Sequence, residues 1–369
     1  MISNKVELLT VIESNSSFRT IKRDTTFMAG SDDWDKLETI FNDALNKQGH
    51  ERQSFVEQAC GDNTELLEEV NDLLSAHQNV DKGKWLEGSS VPRTLSQGDY
   101  IDNYRVLRML SRGATGEVYL VTDDRTGAKF AVKCLPLIYS SDEEILARFK
   151  KEAELTTPLK HVNINRMYGF FTSEDNLHYL LMDYSAGKTL SEVLEGYRLT
   201  VAQSFHIFEQ VCRALKCAHD LGIWHRDVKP SNIMLEGSTV KVIDFGIARD
   251  ASSVLTATGV RLGSPAYMSP EQWIGKSVDQ RTDIWALGVL LYEMLTGELP
   301  FNGVNYYAIQ QSIVKDKPTP VSSLNSETNM YFDLFIDQML SKSVENRLGS
   351  IDELLIKMDI LKRSIKIKP

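Results

Sequence analysis

The stretch His225-Arg226-Asp227-Val228-Lys229-Pro230-Ser231-Asn232, followed by Asp244-Phe245-Gly246, decides the reading of this chain. Five residue types fixed at those offsets arise by chance about once in three million positions, so coincidence does not account for them. Partners with complementary chemistry lie upstream. Lys133 ends Ala131-Val132-Lys133 in a strand-like run, and Glu152 follows it by nineteen residues in Phe-Lys-Lys-Glu-Ala-Glu-Leu. Glu154, two positions on, would face about 200° away on a helix. Further upstream, Leu110-Ser-Arg-Gly-Ala-Thr-Gly-Glu-Val-Tyr-Leu120 holds Gly113 and Gly116; alone, this pair fits a plain hairpin as well as a phosphate-holding loop.

Around these residues the hydrophobic period is two from Tyr104 onward. Runs at 104–112, 117–123 and 129–135 alternate apolar and polar residues, with turn chemistry at Asp124-Arg-Thr-Gly127. A helix is expected from Ser141, with Glu144 in capping position, to about Thr156. Strand-like runs at 164–171 and 177–184 complete a small sheet, and helical periodicity then dominates at 201–220, 283–296, 330–340 and 351–361. The expected fold class is α+β, a β-rich lobe followed by an α-helical one.

The N-terminal third reads differently. Residues 1–31 are expected to form a mobile leader, and 32–79 an acidic three-helix appendage carrying Trp34, Leu37, Ile40, Phe41, Ala44 and Leu45, then Phe55, Val56 and Ala59, then Leu66, Leu67, Val70, Leu73 and Leu74 at helical spacing. Gly49 and Gly61 stand where the first two helices should stop, and Asp62 with Glu65 forms a capping-box-like start for the third. Residues 80–103 read as linker, 104–362 as the main domain and 363–369 as a basic tail.

At 369 residues and 42% hydrophobic, the chain can bury a large core. Of its formal net charge of −10, residues 31–87 carry −9, from fourteen acidic and five basic side chains. That balance argues against nucleic-acid binding, which needs clustered Lys and Arg. Four scattered cysteines without ligand spacing fit reduced thiols and a cytoplasmic setting, and no eighteen-residue apolar run marks a membrane span.

On the quoted motifs, residues 104 to about 362 resemble the protein kinase family, most closely the eukaryotic-like serine/threonine kinases of bacteria. The resemblance implies a bilobal fold and an ATP-dependent enzyme that phosphorylates Ser and Thr hydroxyls of proteins. Its cofactors would be ATP and Mg²⁺, with Mn²⁺ as an alternative ion, and it would autophosphorylate with a second copy as partner. Asp227 takes the place of the catalytic base, Lys229 that of the lysine at the transferring phosphate, and Asn232 and Asp244 those of the metal ligands. Lys133 would neutralise the α- and β-phosphates, held by Glu152. Ser111, Gly113 and Gly116 match the phosphate lid, with Ser111 replacing the family's first glycine.

Val118 and Ala131 would roof the adenine pocket, with Met182 as gatekeeper and Asp183 and Ser185 offering backbone groups to the base. The resemblance also implies that Trp224 and His225 pack rather than react. Arg226 would answer a phosphothreonine, with Thr256 and Thr258 as acceptors ahead of Ser264 and with Ser252 and Ser253 as weaker candidates. Glu271 would pair with Arg347, and Asp283 would brace the catalytic loop. Two other readings stay open on the sequence: a pseudokinase that keeps the fold without the reaction, and a small-molecule phosphotransferase sharing the metal and base positions.

Overall fold

The computed structural model describes residues 94–113, 116–136, 139–140, 142–245, 265–303 and 305–364, with the stretch 49–61 and separate positions between 40 and 74. The chain divides into two compact units, Met1–Arg93 and Thr94–Pro369.

In the first unit, helix α1 (Gly49–Cys60) ends at Gly61, whose φ of +58° is left-handed backbone that glycine adopts at little cost. Gly49 opens this helix instead of ending the one before it. Ile40, Ala44, Val56, Cys60, Leu66, Val70 and Leu74 are buried together. The four-residue intervals put each set on one helix face. The Leu66 N–H donates to Asn63 Oδ1 at 3.1 Å, so Asn63 caps the third helical stretch; the expected Asp62 lies outside the described residues.

The second unit opens earlier than the sequence reading placed it. Residues 94–103, expected as linker, belong to it, and β1 (Tyr100–Ile101) pairs with β2 (Tyr104–Gly113). Next come β3 (Gly116–Asp123), β4 (Lys129–Cys134), helix α2 (Glu143–Thr156), β5 (Met167–Thr172) and β6 (His178–Asp183). The six strands form one antiparallel sheet in the order β1-β2-β3-β4-β6-β5. Alternation sends Tyr119, Val121, Val132 and Leu181 to one core, and Ala131, Leu180 and Met182 to another with Phe149 and Ala153 of α2. Asp142, not Ser141, caps α2: its side chain accepts from the N–H groups of Glu144 and Ile145.

A short sheet follows, in which β7 (Lys188–Thr189), β8 (Ile233–Glu236) and β9 (Thr239–Val242) pair in order. These strands of two and four residues were too short to show a period. Helices α3 (Leu190–Gly196), α4 (Val201–His219), α5 (Pro270–Trp273), α6 (Arg281–Thr296), α7 (Tyr306–Lys315), α8 (Val321–Leu324), α9 (Met330–Met339) and α10 (Ile351–Ser364) make the rest. Capping boxes start α3 at Thr189 and α4 at Thr200. Helix α6 is buried almost all round, from Thr282 to Tyr292 without a break. Each such Leu, Ile or Val contributes about 1.5–3 kcal/mol relative to exposure, which makes α6 the buried pillar of the helical half.

Candidate active site

The site forms where the six-stranded sheet meets the helical half. Lys133 points from β4 to α2, where its Nζ lies 2.9 Å from Glu152 Oε1, and both side chains are buried. Glu154 is exposed. Lys133 Nζ also stands 4.0 Å from Asp244 Oδ1, a carboxylate left 44% exposed. One cation therefore sits between a buried carboxylate that holds it and an open one that faces the cleft.

Above this pair, β2 and β3 form the hairpin of the glycine-bearing loop, with Ser111 opposite Val118 and Gly113 opposite Gly116. Gly116 has a φ of +138°, and a Cβ there would stand 2.3 Å from the Cys134 carbonyl oxygen, so no other residue fits. Ser111 follows a register shift of β2 against β3, between Met109 and Ser111, and is exposed. An Arg112–Glu117 ion pair of 2.6 Å closes the hairpin. Val118, Ala131 and Met182 share one apolar cluster. Beyond Met182, the Asp183 carbonyl accepts from Asn165 Nδ2 at 3.0 Å, and the Ser185 hydroxyl donates to Asn165 Oδ1 at 3.3 Å.

The loop at 225–232 follows Trp224, which packs edge-on against His219. Lys229 Nζ lies 2.9 Å from Asp227 Oδ2. Asn232 Nδ2 donates to the same oxygen at 3.0 Å and to the Asp227 carbonyl at 2.9 Å. Two donors thus fix one oxygen of Asp227. Asp283, fully buried on α6, accepts from the N–H groups of His225 at 2.8 Å and Arg226 at 2.7 Å and from His219 Nε2 at 2.8 Å. Burial pushes its carboxyl upward, but the His219 hydrogen bond and the surrounding donors outweigh that and hold it below the usual carboxylate range.

His225 is fully buried, and burial lowers its pKa, so the ring is neutral. Nδ1 accepts from the Asp227 N–H at 3.2 Å, which leaves Nε2 to donate to the Ile243 carbonyl at 3.2 Å. The ring packs on Phe245 at 4.6 Å. His225 therefore joins the loop at 225–232 to the segment carrying Asp244. Arg226 and Asp244 hold left-handed backbone, with φ of 63° and 50°, at about 1–2 kcal/mol each. The bonds to Asp283 and Ile243 offset that strain, and Gln272 adds one to the Arg226 carbonyl at 3.1 Å.

A divalent cation fits this donor set. Asn232 spends its amide hydrogens on Asp227, which leaves its oxygen as a hard donor, and Asp244 presents an open carboxylate. Two protein oxygens suit an ion that completes its shell with water and phosphate.

Downstream, Glu271 and Arg347 form a two-pronged ion pair of 2.7 and 3.0 Å. Thr282 Oγ1 adds a 3.0 Å bond to the carboxylate, and the Arg347 guanidinium donates to the Ser341 and Arg281 carbonyls. Thr256, Thr258 and Ser264, with Ser252 and Ser253, lie outside the described residues. His219, Gln272 and Asn165 escaped sequence reading, because each meets its partner across a distance in sequence that no local motif encodes.

The protein kinase domain model matches residues 104–358. Over 262 residues the chain is 36% identical to the serine/threonine-protein kinase PknB of Mycobacterium tuberculosis, covering 69% of this chain and 42% of that protein. A probable serine/threonine-protein kinase of Clostridium acetobutylicum is 34% identical over 266 residues, covering 71% and 40%. The chain thus spans about two fifths of the length of these relatives. The crystal structure of the M. tuberculosis PknI kinase domain aligns with a TM-score of 0.57 and 27% identity over 72% of this chain and 99% of that one. With the loop at 225–232, the Lys133–Glu152 pair and the fold in agreement, the chain belongs to the protein kinase family.

Proposed function

We propose that the chain is an ATP-dependent serine/threonine protein kinase. The observation that carries this reading is the convergence of Lys133, held by Glu152 and 4.0 Å from Asp244, with Asp227 held by Lys229 and Asn232. Phosphoryl transfer needs charge neutralisation, in-line positioning and a proton acceptor, and little covalent chemistry from the protein. Lys133 neutralises the α- and β-phosphates. Asp227 orients the substrate hydroxyl and accepts its proton as the new O–P bond forms and ADP leaves. Lys229, beside Asp227, offsets charge on the transferring phosphoryl group. Mg²⁺, held by Asn232 and Asp244, would supply further charge neutralisation when bound.

Lys229 supports Ser/Thr specificity, as do Ser264, which stands where the family has a Thr or Ser that contacts the base and lysine, and the similarity to serine/threonine kinases. We assign Thr256 and Thr258 as autophosphorylation sites acting on Arg226, with a second copy as the phosphorylating partner. Among the described residues no helix is long and apolar enough to cross a membrane. Cys60, Cys134, Cys212 and Cys217 stand outside any disulfide, which supports a reducing, cytoplasmic setting. The test is incubation with labelled ATP and Mg²⁺ beside Lys133→Met and Asp227→Asn. Label on the wild type, with both variants at least a hundredfold slower, is the expected result; equal labelling of all three sinks the assignment. Phosphopeptide mapping that never finds Thr256 or Thr258 would remove the autophosphorylation sites.

A further inference from the structure

Asn165 follows Ile164, which bridges to Val242, and its own N–H donates to the Val242 carbonyl at 2.9 Å. Its backbone therefore hangs on β9, two residues ahead of Asp244. Its side chain reaches the other end of the site, with Nδ2 3.0 Å from the Asp183 carbonyl and Oδ1 3.3 Å from the Ser185 hydroxyl. These two bonds fix the amide orientation, because the reverse would set two oxygens against each other. The remaining polar groups of Asp183 are engaged as well. Its N–H donates to the Arg166 carbonyl at 2.9 Å, and its carboxylate accepts from the Tyr168 hydroxyl at 2.8 Å.

The Asp183 carbonyl is the group expected to accept a hydrogen bond from the 6-amino group of adenine, and it already has a donor. A carbonyl has two lone pairs, but a donor on one draws charge away from the other. An incoming 6-amino group must share the oxygen with Asn165 or displace it. We infer that Asn165 is a base-specificity residue, whose amide competes with the purine 6-amino group for the Asp183 carbonyl and so weakens selection for adenine. The inference rests on the kinase reading of the hinge. An asparagine that only ties the hinge to β9 would affect all purine nucleotides alike.

ATP and purine riboside 5′-triphosphate, which lacks only the 6-amino group, separate these roles. A net hydrogen bond to an uncontested carbonyl is worth about three- to tenfold. Wild-type protein should favour ATP by less than about threefold in kcat/KM, and Asn165→Val should raise the preference to about tenfold through the KM for ATP, with kcat little changed. A wild type that already prefers ATP by about threefold or more, or a variant with an unchanged ratio, overturns the inference. Should the variant not fold, the wild-type ratio alone decides. Calorimetric Kd values for the two nucleotides with Mg²⁺ carry the same prediction without turnover, so a protein that binds both but transfers no phosphate refutes the kinase reading and leaves the Asn165 result standing on its own.

Discussion

Two buried ion pairs in the kinase domain use the same chemistry for different ends. Arg347 and Glu271 exchange two bonds, with side chains 0% and 5% exposed, and Thr282, Ser341 and Arg281 satisfy further polar atoms. Lys133 and Glu152 are nearly as buried, at 7% and 8%, yet Lys133 also faces the open carboxylate of Asp244. A closed, fully satisfied pair fixes structure. A pair whose cation borders an open cleft keeps a charge available for an anion, which on the proposed function is the phosphates of ATP. Guanidinium and ammonium suit these tasks, since the fork of Arg matches a carboxylate in two bonds while Lys acts as a point charge.

The comparison breaks most sharply at Arg347. Glu271→Ala leaves that guanidinium buried and uncompensated, which costs about 3–5 kcal/mol. At about 2–4 °C per kcal/mol, the melting temperature should fall by roughly 10 °C. A fall of less than about 2 °C would show that the closed pair carries no structural load. The linked titration is a smaller effect. Glu271 is pushed up by burial, but Arg347 outweighs that and holds it below its usual range, so its stabilisation is present above the unfolded carboxylate pKa and is lost as pH falls through the lower folded one.

His225 adds a term nearer neutrality. Burial lowers its pKa from about 6.5, so on acidification the unfolded chain takes up a proton that the folded chain refuses. Stability should therefore decline as pH drops below about 6.5, and a His225→Gln variant should show a shallower decline in melting temperature between pH 7.5 and 5.5. An identical slope in both proteins would remove His225 from the account. The smallest effect concerns the lid, where Ser111→Gly restores backbone freedom and should lower the KM for ATP a few-fold, on the order of 0.5–1 kcal/mol. A raised KM contradicts it.

Much of the site was legible because its parts are local. Asp227, Lys229 and Asn232 lie within six residues of one another, Glu152 sits on the fourteen-residue α2, and Lys133 ends the short motif Ala131-Val132-Lys133 nineteen residues before it. The large helices and strands β2 to β6 of the main sheet were legible for the same reason, whereas the two-residue β1 falls in a stretch that reads as linker. What stayed hidden depends on contacts across sequence or on short elements. Strands β7 to β9 are too short to show a period. Asp142 competes with the adjacent Ser141 for one cap, and Gly49 is as acceptable at a helix start as at a helix stop. Asn165 carries no motif, and its role follows only from where the hinge folds back against it.

The most direct measurement takes Lys133→Met and follows two quantities on the same preparation, the rate of phosphoryl transfer from ATP and the melting temperature. The account predicts a transfer rate at least a hundredfold lower, with a melting temperature that falls by far less than that of Glu271→Ala. Retained transfer, or unfolding as severe as that of Glu271→Ala, would show that Lys133 and Glu152 are one more structural pair and would contradict the assignment of this site as catalytic.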